Sequence, residues 1–302
     1  MIAICSAALA PSTAFAYPWP IKPFDRQHPI RGAFGDPRSL RGSVDVTFDN
    51  PLSFHSGVDI QAPDGTPVYA VHSGIVSNTN AKAVAVAWPY AGADAAVVFG
   101  YWHVVPVVHA GAYVAESQLL GYVKPGAGHV HLSERRFGVY VNPLRPGGLA
   151  PYADHTRPVI RGLVVYACRT THELPLDAVT GCVDIAVDAY DPPAMQPLAP
   201  WSDAIWSPAK ISWTGLYDDA WRPFGGPAQG VNFDRLLARS AVRDVYAPGT
   251  RQNGPNVAGD YRFWLVRGLD TTSLVGDHAI TVTASDTRGN RTNRTLTFTV
   301  VG

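Results

Sequence analysis

Short apolar runs separated by turn-forming residues dominate the first half of this sequence and constrain its fold most narrowly. The runs are rich in β-branched residues, and clusters of Gly, Pro, Asn and Asp interrupt them, which is typical of strands joined by tight turns. No apolar repeat of 3.6 residues persists long enough to indicate a substantial helix. We therefore predict an all-β chain whose first half is mostly antiparallel. The predicted strands lie within residues 66–70, 74–76, 83–88, 95–105, 119–123 and 137–141.

Beyond about residue 150, apolar and polar residues alternate cleanly in several stretches. These stretches are residues 183–187, 278–282 and 296–300. A period of two predicts strands with one buried face, as in a sandwich of two sheets. Residues 187–191 and 282–286 share a Val-x-Ala-x-Asp pattern that resembles strands of bacterial immunoglobulin-like modules. Residues 192–260 are irregular, and only one strand is predicted there, near residues 210–213.

The length of 302 residues exceeds the usual single-domain size of roughly 100–150 residues, which favours two domains. A segment rich in Pro and Gly, residues 142–148, breaks the strand pattern, and we place the domain boundary within residues 146–157. We predict one β domain over residues 17–150 and an immunoglobulin-like β-sandwich over residues 151–302.

The first sixteen residues predict export. They are apolar and rich in small side chains, and residues 14–16 (Ala-Phe-Ala) fit the pattern that precedes signal cleavage. A positively charged start is missing, which indicates a natural start further upstream. No other segment approaches the length of a transmembrane helix, so we predict a secreted or cell-envelope location, extracellular or periplasmic. Cleavage would remove Cys5 and leave Cys168 and Cys182, which favours a disulfide over two buried thiols.

Composition excludes some partners. The chain has 24 basic and 24 acidic residues, and charged residues make up only 16% of it. It therefore has no electrostatic footprint for nucleic acid or for an anionic membrane. Four tryptophans in the second half are clustered, and buried core positions explain them better than a sugar-binding platform. They are Trp201, Trp206, Trp213 and Trp221. The sequence does not indicate an oligomeric state.

Four of the ten histidines fall in three motifs with distinct chemistry. The motifs are residues 54–59 (Phe-His-Ser-Gly-Val-Asp), 101–103 (Tyr-Trp-His) and 128–132 (Gly-His-Val-His-Leu). His129 and His131 are two residues apart, so on a strand their side chains share a face, roughly 6–7 Å apart. Such a pair can share one metal, or one imidazole can bind metal while the other acts on a substrate. Taken alone, the pair also fits a solvated strand face.

His55 and Asp59 are four residues apart in a segment that does not favour a helix. On a straight strand they would lie roughly 13 Å apart, too far for two ligands about 2.0–2.2 Å from one zinc. A shared metal therefore requires the chain to bend between them. Ser56 and Gly57 are the obvious place for that bend.

Two imidazoles and one carboxylate suit zinc and leave the fourth coordination position open for water, as catalytic zinc sites require. Zinc activates water and polarises a scissile carbonyl, and a further histidine can act as a base or bind the oxyanion. The motifs therefore predict metal-assisted hydrolysis. Spacing alone leaves open which of His103, His129 and His131 is the third ligand.

The motifs resemble those of the lysostaphin-type (LytM-like) zinc metallopeptidases. Residues 55–76 look like the first motif of that family, and residues 101–103 look like the middle one. Residues 128–134 together with 141–143 look like the closing motif. Weaker matches are residues 33–38, similar to the opening strand and including Arg38, and residues 111–121, similar to the turn and strand after the middle motif. The resemblance covers about residues 30–145 in the right order.

The resemblance implies roles that spacing leaves open. The family's ligands are the His and Asp of the first motif and the second His of the closing motif, which here are His55, Asp59 and His131. His129 and His103 match the histidines that face substrate and water, as general base and transition-state stabiliser. The resemblance also implies a compact antiparallel β fold with a groove, a Zn2+ cofactor and peptidoglycan stems or cross-bridges as substrate.

Two departures from the family pattern are visible. The loop over residues 124–128 is shorter than usual, and Ser133 stands where an aromatic residue is common. The first bears on substrate preference, because that loop helps to wall the groove. The second bears on packing beside the metal.

A secreted zinc endopeptidase is therefore the leading hypothesis. The alternative is a non-catalytic, peptidase-like scaffold or regulator of a separate cell-wall hydrolase, but such proteins typically lose ligands and this chain has retained them all. A binding module with a structural zinc is less consistent with the motifs, because structural sites are closed by four ligands and favour cysteine.

Overall fold

The computed structural model describes residues 16–39, 52–89, 95–216 and 228–302. Within these ranges the chain is almost entirely β-structure, and its named strands pair antiparallel. Helical structure in the described part comprises a 3-10 turn over Arg239–Ala241 and a short helix α1 over Val242–Val245. The predicted all-β fold class is therefore confirmed.

Two sequence-based predictions fall largely outside these ranges. The predicted signal segment lies outside the described residues except for Ala16, and Trp221 also lies outside them. Among the described residues, none of the helical segments has the length and apolarity needed to cross a membrane.

The first region, up to about residue 150, is built from short strands. In chain order they are β1 (Ile30–Gly32), β2 (Pro37–Ser39), β3 (Leu52–Phe54), β4 (Val58–Gln61), β5 (Pro67–Tyr69), β6 (Gly74–Asn80), β7 (Ala83–Trp88), β8 (Val97–Trp102), β9 (Val104–Pro106), β10 (Tyr113–Val114), β11 (Leu119–Val123), β12 (His129–Arg136) and β13 (Val139–Val141). The main sheet has the order β1-β4-β12-β8-β7-β6-β10, with β13 also paired to β12. Strands β5, β11 and β9 form a second sheet, and β2 pairs with β3.

The second region contains longer strands. They are β14 (Val159–Ala167), β15 (Glu173–Leu174), β16 (Cys182–Tyr190), β17 (Lys210–Leu216), β18 (Ala228–Asn232), β19 (Arg262–Asp270), β20 (Gly276–Ser285) and β21 (Arg291–Val300). They form two four-stranded sheets, β15-β14-β16-β19 and β18-β17-β20-β21. Residues from both sheets meet in one apolar core. The immunoglobulin-like topology stays a prediction.

Alternation describes β20 well and β16 poorly. In β20 the residues Ile280, Val282 and Ala284 are buried and the residues between them are more exposed, as a period of two predicts. In β16 the whole stretch 183–187 is buried, because Ala186 on the opposite face belongs to a separate small apolar cluster. The prediction of a half-buried strand is therefore wrong for β16.

The irregular stretch 192–260 holds more regular structure than predicted. The expected strand near residues 210–213 is present and extends to Leu216 as β17, and β18 pairs with it. The sequence of β18, Ala-Gln-Gly-Val-Asn, neither alternates nor is rich in β-branched residues. Its strand conformation depends on pairing with β17, a tertiary effect that local propensity does not predict.

The two regions exchange core residues across the predicted boundary. Phe34 and Phe54 pack into the apolar core of the second region, whereas Trp206 packs into the core of the first. Between them, the buried carboxylate of Asp36 accepts a hydrogen bond from the Ser207 amide at 2.8 Å. The regions are therefore joined by packing and hydrogen bonds as well as by the connecting chain.

Cys168 and Cys182 form a disulfide, in agreement with the prediction from cysteine usage. The bond links the end of β14 to the start of β16. Of the tryptophans in the described part of the cluster, Trp206 and Trp213 are buried as predicted, and Trp201 is half-buried.

Candidate metal centre and active site

Three neighbouring strands bring the predicted site residues together. In the main sheet β12 lies between β4 and β8, and its register places His131 directly opposite Asp59. His131 also lies opposite Trp102, the last residue of β8. His103 is the next residue in the chain, so it lies at the end of β8 close to His131. Because side chains at i and i+2 of a strand share a face, His129 points the same way as His131.

The chain bends between His55 and Asp59, as a shared metal requires. The bend brings Nε2 of His55 to 3.0 Å from Oδ1 of Asp59. Gly57 lies within it, and a Cβ at this position would overlap the carbonyl oxygen of Leu132 and lie 2.8 Å from Nε2 of His131. A larger residue would therefore displace β12 or the imidazole that β12 carries.

His55, Asp59 and His131 form a compact buried cluster. Nε2 of His55 lies 2.8 Å from Nδ1 of His131, and Oδ1 of Asp59 lies 3.0 Å from each of them. Tetrahedral ligands about 2.0–2.2 Å from one zinc lie roughly 3.3–3.6 Å apart. The three atoms therefore need to separate by only a few tenths of an ångström to hold such an ion. Two nitrogens and one oxygen also match zinc chemically.

The tautomer of His55 decides whether two acceptor atoms of this cluster face each other. Nδ1 of His55 lies 2.7 Å from the Ala33 carbonyl and 2.9 Å from Nη2 of Arg38. When Nδ1–H donates to the carbonyl, Nε2 carries the lone pair and faces Oδ1 of Asp59. Burial, helped by the Arg38 charge, lowers the pKa of His55 to about 3 and keeps the ring neutral. Burial alone would raise the pKa of Asp59, but the hydrogen bond with His131 and the charge of Arg38 hold it well below its usual range. In that tautomer, a cation between Nε2 of His55 and Oδ1 of Asp59 would relieve the repulsion of their lone pairs.

His129 and His103 lie beside the cluster. Nδ1 of His129 is 2.7 Å from the Ala127 carbonyl, and Nε2 lies 3.6 Å from Oδ1 of Asp59. Burial lowers the pKa of His129 to about 4 and also lowers the pKa of His103. The two rings pack with centroids 4.3 Å apart. His103 has a φ of 63°, a left-handed conformation that non-glycine residues adopt infrequently.

Residues 53–143, which contain all five of these side chains, match peptidase family M23. This chain carries a peptidase family M23 domain. No curated protein matches the sequence significantly.

Solved structures of similar fold are only partly covered by this chain. Csd3 of Helicobacter pylori is 21% identical over 43% of this chain and 32% of that chain, with a TM-score of 0.32. A zinc containing peptidase from Vibrio cholerae is 19% identical over 42% and 39% of the two chains, with a TM-score of 0.32. The catalytic domain of the antimicrobial peptidase lysostaphin from Staphylococcus simulans is 22% identical over 35% and 77%, with a TM-score of 0.27. The chain therefore spans about a third of the length of the Csd3 structure.

Arg38 orients the carboxylate of the M23 cluster. Its Nη2 donates to Oδ2 of Asp59 at 3.0 Å, which leaves Oδ1 directed at the two imidazoles. A Cβ at Gly32 would overlap this guanidinium and lie 3.0 Å from Oδ2 of Asp59. The absence of a side chain at position 32 therefore allows the arginine to reach the cluster.

The loop that precedes His129 is short but anchored. Oδ2 and Oδ1 of Asp64 accept hydrogen bonds from the amides of Gly126 and Gly128 at 2.6 and 2.9 Å. These bonds lower the pKa of Asp64. One carboxylate thereby orders the turn that leads into β12 and supports the position of His129.

The second region reaches the M23 domain beside the cluster. The side chain of Gln61 exchanges hydrogen bonds of 2.7 and 2.9 Å with the backbone of Leu198. Three residues later, the ring of Trp201 lies 4.4 Å from the guanidinium carbon of Arg31. Nη2 of Arg31 in turn lies 2.5 Å from Nδ1 of His129. A tryptophan of the second region thus holds a cation against a side chain of the predicted active site.

Arg31 competes with a carbonyl for the same imidazole nitrogen. Nδ1 of His129 donates to Ala127 or accepts from Arg31, and one ring nitrogen does not do both at once. Among the described residues, Arg31 has no carboxylate within 4.0 Å. A cavity of about 150 Å3 opens beside it, and its lining residues are Arg31, Arg38, Asp59, Trp201, Gln252 and Asn253.

Each site residue predicted from the sequence lies in or beside the cluster, and two neighbours were missed. Arg31 is an isolated basic residue before the opening motif, and no sequence pattern marks it. The sequence favours a buried core position for Trp201, because nothing in it connects this residue with Arg31 in the first region. Both positions depend on contacts between distant segments, which only the folded chain shows.

Proposed function

We propose that the chain is an exported zinc metalloendopeptidase that hydrolyses peptide bonds in the stems or cross-bridges of bacterial peptidoglycan. In this proposal His55, Asp59 and His131 hold the zinc, and His103 and His129 are the catalytic side chains. The observation that carries it is the convergence of three ligand atoms within 3.0 Å of one another inside an M23 domain.

Zinc, when bound, would activate water for attack and polarise the scissile carbonyl. The chain's own residues then manage protons and charge. When Nδ1–H donates to the Ala127 carbonyl rather than accepting from Arg31, His129 presents an unprotonated Nε2 towards the cluster, where it can accept a proton. Its low pKa keeps this ring neutral at neutral pH. The His103 ring, packed on His129, is placed to donate a hydrogen bond to the developing oxyanion.

We propose further that residues 17–150 are the catalytic domain and residues 151–302 an immunoglobulin-like accessory domain. Two main apolar cores, one in each region, support this division. The Cys168–Cys182 disulfide supports export, because such bonds persist in oxidising compartments. The signal-like segment at residues 1–16 supports the same location.

Digestion of purified peptidoglycan tests the activity. The chain is compared with the chelated protein, with His131→Ala and with His109→Ala, which changes an exposed histidine outside the cluster. We expect zinc-dependent release of new amino termini from the wild type and from His109→Ala. The chelated protein and His131→Ala are expected to release none.

The same assay separates the enzyme from its main alternative, the non-catalytic regulator. If the wild type contains stoichiometric zinc and still releases no amino termini from several peptidoglycan types, the enzymatic proposal is wrong. Stimulation of a separate cell-wall hydrolase by that inactive protein would then support the regulator.

A further inference from the structure

Three aspartates outside the M23 cluster converge where the two regions meet. Asp154 lies in the segment that leaves the first region, Asp191 follows β16, and Asp286 follows β20. Their relative exposures are only 6%, 4% and 9%. One carboxylate oxygen from each lies within 4.8 Å of those of the other two.

Asp191 has no partner for its charge. Its Oδ1 is fully buried and receives no hydrogen bond, and its carboxylate accepts none from the described residues. Burial raises its pKa well above the usual range, and the acidic groups Asp154, Asp286 and Asp36 raise it further. A buried carboxylate without a donor or a cation is strongly unfavourable. The folded chain must therefore protonate Asp191 or supply a cation that is not one of its own side chains.

Arg288, two residues after Asp286, does not supply that cation. Arg288 lies over the ring of Tyr152, with its guanidinium carbon 4.9 Å from the centroid, and Nε of Arg288 has no hydrogen-bond partner. Within the described residues it makes no ion pair with the three aspartates at 4.0 Å or less. Even if its charge is counted, three carboxylates leave an excess of two negative charges, which one divalent cation neutralises.

The other two carboxylates are held in place by donors that leave lone pairs free. Oδ1 of Asp154 accepts from the amide and hydroxyl of Thr156, at 2.9 and 2.6 Å, and Oδ2 accepts from the Tyr152 hydroxyl at 3.0 Å. Oδ1 of Asp286 accepts from the amides of Arg288 and Asn290 at 2.9 and 2.8 Å, and Oδ2 accepts from the side-chain amide of Asn290 at 2.6 Å, which leaves one lone pair on Oδ2. Oriented carboxylates of this kind are typical of ligands supported by a surrounding hydrogen-bond network.

We propose that Asp154, Asp191 and Asp286 bind one calcium ion. An all-oxygen set of carboxylates selects hard cations and not zinc. Calcium fits better than magnesium, because calcium accepts several carboxylates in a flexible geometry, whereas magnesium usually keeps several waters and is held by one or two carboxylates. The three carboxylate oxygens lie close enough together to share one ion.

The ion ties three segments together. Asp191 and Asp286 follow strands of different four-stranded sheets, and Asp154 belongs to the segment that connects the regions. The backbone of Asp191 also exchanges hydrogen bonds of 2.8 and 2.9 Å with Trp206. Residues 192–206 between them carry Trp201 to the M23 domain. Calcium therefore stabilises the junction between the two regions, which sets the position of Trp201 against Arg31.

Calcium titration of the zinc-loaded chain tests this site. Thermal unfolding is followed as calcium is added, and terbium luminescence provides a second readout because Tyr152 adjoins the aspartates and can sensitise it. We expect one calcium per chain and a melting temperature that rises with calcium concentration. Asp191→Asn should weaken calcium binding by at least about tenfold. His131→Ala should leave calcium binding unchanged.

Asp184→Asn is the matched control, because Asp184 is also buried on β16 but accepts two backbone hydrogen bonds of its own. Asp184→Asn should retain the calcium response. If Asp191→Asn does not fold, Asp286→Asn takes its place in the test and should lose the response. Two results overturn the proposal. One is no response of the wild type to millimolar calcium, magnesium or manganese. The other is a response that survives Asp191→Asn and disappears in His131→Ala.

Discussion

The His/Asp/His cluster of the M23 domain and the three-aspartate cluster at the junction are both buried, but the fold assembles them in different ways. In the first, Asp59 and His131 face each other across paired strands, and His55 joins them through a bend of four residues. In the second, the ligands come from three segments far apart in sequence that meet only where two sheets and a connecting segment pack. Strand register sets the first cluster, whereas tertiary packing sets the second.

The chemical difference follows the structural one. Two imidazoles and a carboxylate, with a further histidine pair beside them, favour zinc and reactivity. Three carboxylates favour a hard cation and a structural role. The regions that hold these clusters also touch through Arg31 and Trp201, so the comparison can be tested by changing each cluster and each contact separately.

The largest expected effect comes from removing a zinc ligand. We expect His131→Ala to lose zinc and to lower peptidoglycan hydrolysis by on the order of 10⁴-fold or more, about 5 kcal/mol of transition-state stabilisation. Calcium binding should persist, because the aspartate cluster is separate. Metal content by elemental analysis together with the hydrolysis assay checks both. Joint loss of zinc and calcium would show that the clusters are not independent.

Removing a catalytic side chain should have a smaller effect and a different signature. His129→Gln is expected to lower kcat about 10²–10⁴-fold, the usual contribution of general acid–base catalysis, while zinc remains bound. Zinc content and kcat, measured on the same preparation, show whether His129 is a catalytic side chain or a zinc ligand. If His129→Gln loses zinc as fully as His131→Ala, His129 is a ligand and the assignment of the two histidines is wrong.

The junction should respond to pH through Asp36. Burial raises the pKa of Asp36 to about 6 despite the nearby Arg38. The folded chain therefore keeps a proton on Asp36 between about pH 4 and pH 6, where the unfolded chain has lost it. Stability from this group is full below about pH 4 and declines as pH rises to 6. Relative to Asp36→Asn, the wild type should lose about 2 kcal/mol of unfolding free energy between pH 4.5 and pH 7.5.

Urea unfolding of both proteins at the two pH values measures this difference. A constant gap between wild type and Asp36→Asn would show that the Asp36 charge is fully compensated in the folded chain.

The smallest effect is expected from Trp201, the residue of the second region that packs on Arg31 and lines the cavity beside it. Trp201→Ala removes the ring that holds Arg31 and opens the adjoining cavity. We expect KM for a soluble cell-wall peptide to rise about threefold to tenfold, corresponding to about 1 kcal/mol, with kcat changed less than about twofold. Trp201→Phe keeps an aromatic face and should stay close to wild type. Equal KM values for all three proteins would mean that the second region does not contact substrate.

The same contrast explains why the His/Asp/His cluster can be predicted from the sequence and the three-aspartate cluster cannot. His55, Asp59 and His131 lie in short motifs, and strand periodicity with one glycine bend suffices to bring them together. The choice of His131 over His129 came from family resemblance, because a two-residue spacing treats both alike. The all-β class followed from local patterns in the same way.

Other features depend on contacts between distant residues. Strand β18 lacks a strand-like sequence and exists because β17 pairs with it. Phe34 and Phe54 cross the predicted domain boundary to pack in the other core. The Val-x-Ala-x-Asp pattern ends at Asp191 and at Asp286, but only packing brings Asp154 close to them. Such long-range contacts have no local signal in one sequence.

Anomalous diffraction from crystals of the zinc-loaded chain, recorded on both sides of the zinc absorption edge, tests the central claim most directly. The account predicts one strong peak about 2.0–2.2 Å from Nε2 of His55, Oδ1 of Asp59 and Nδ1 of His131. Neither His103 nor His129 should be within bonding distance of it. A peak bonded to His129 instead of His131, or zinc bound only at the three aspartates, would contradict the account.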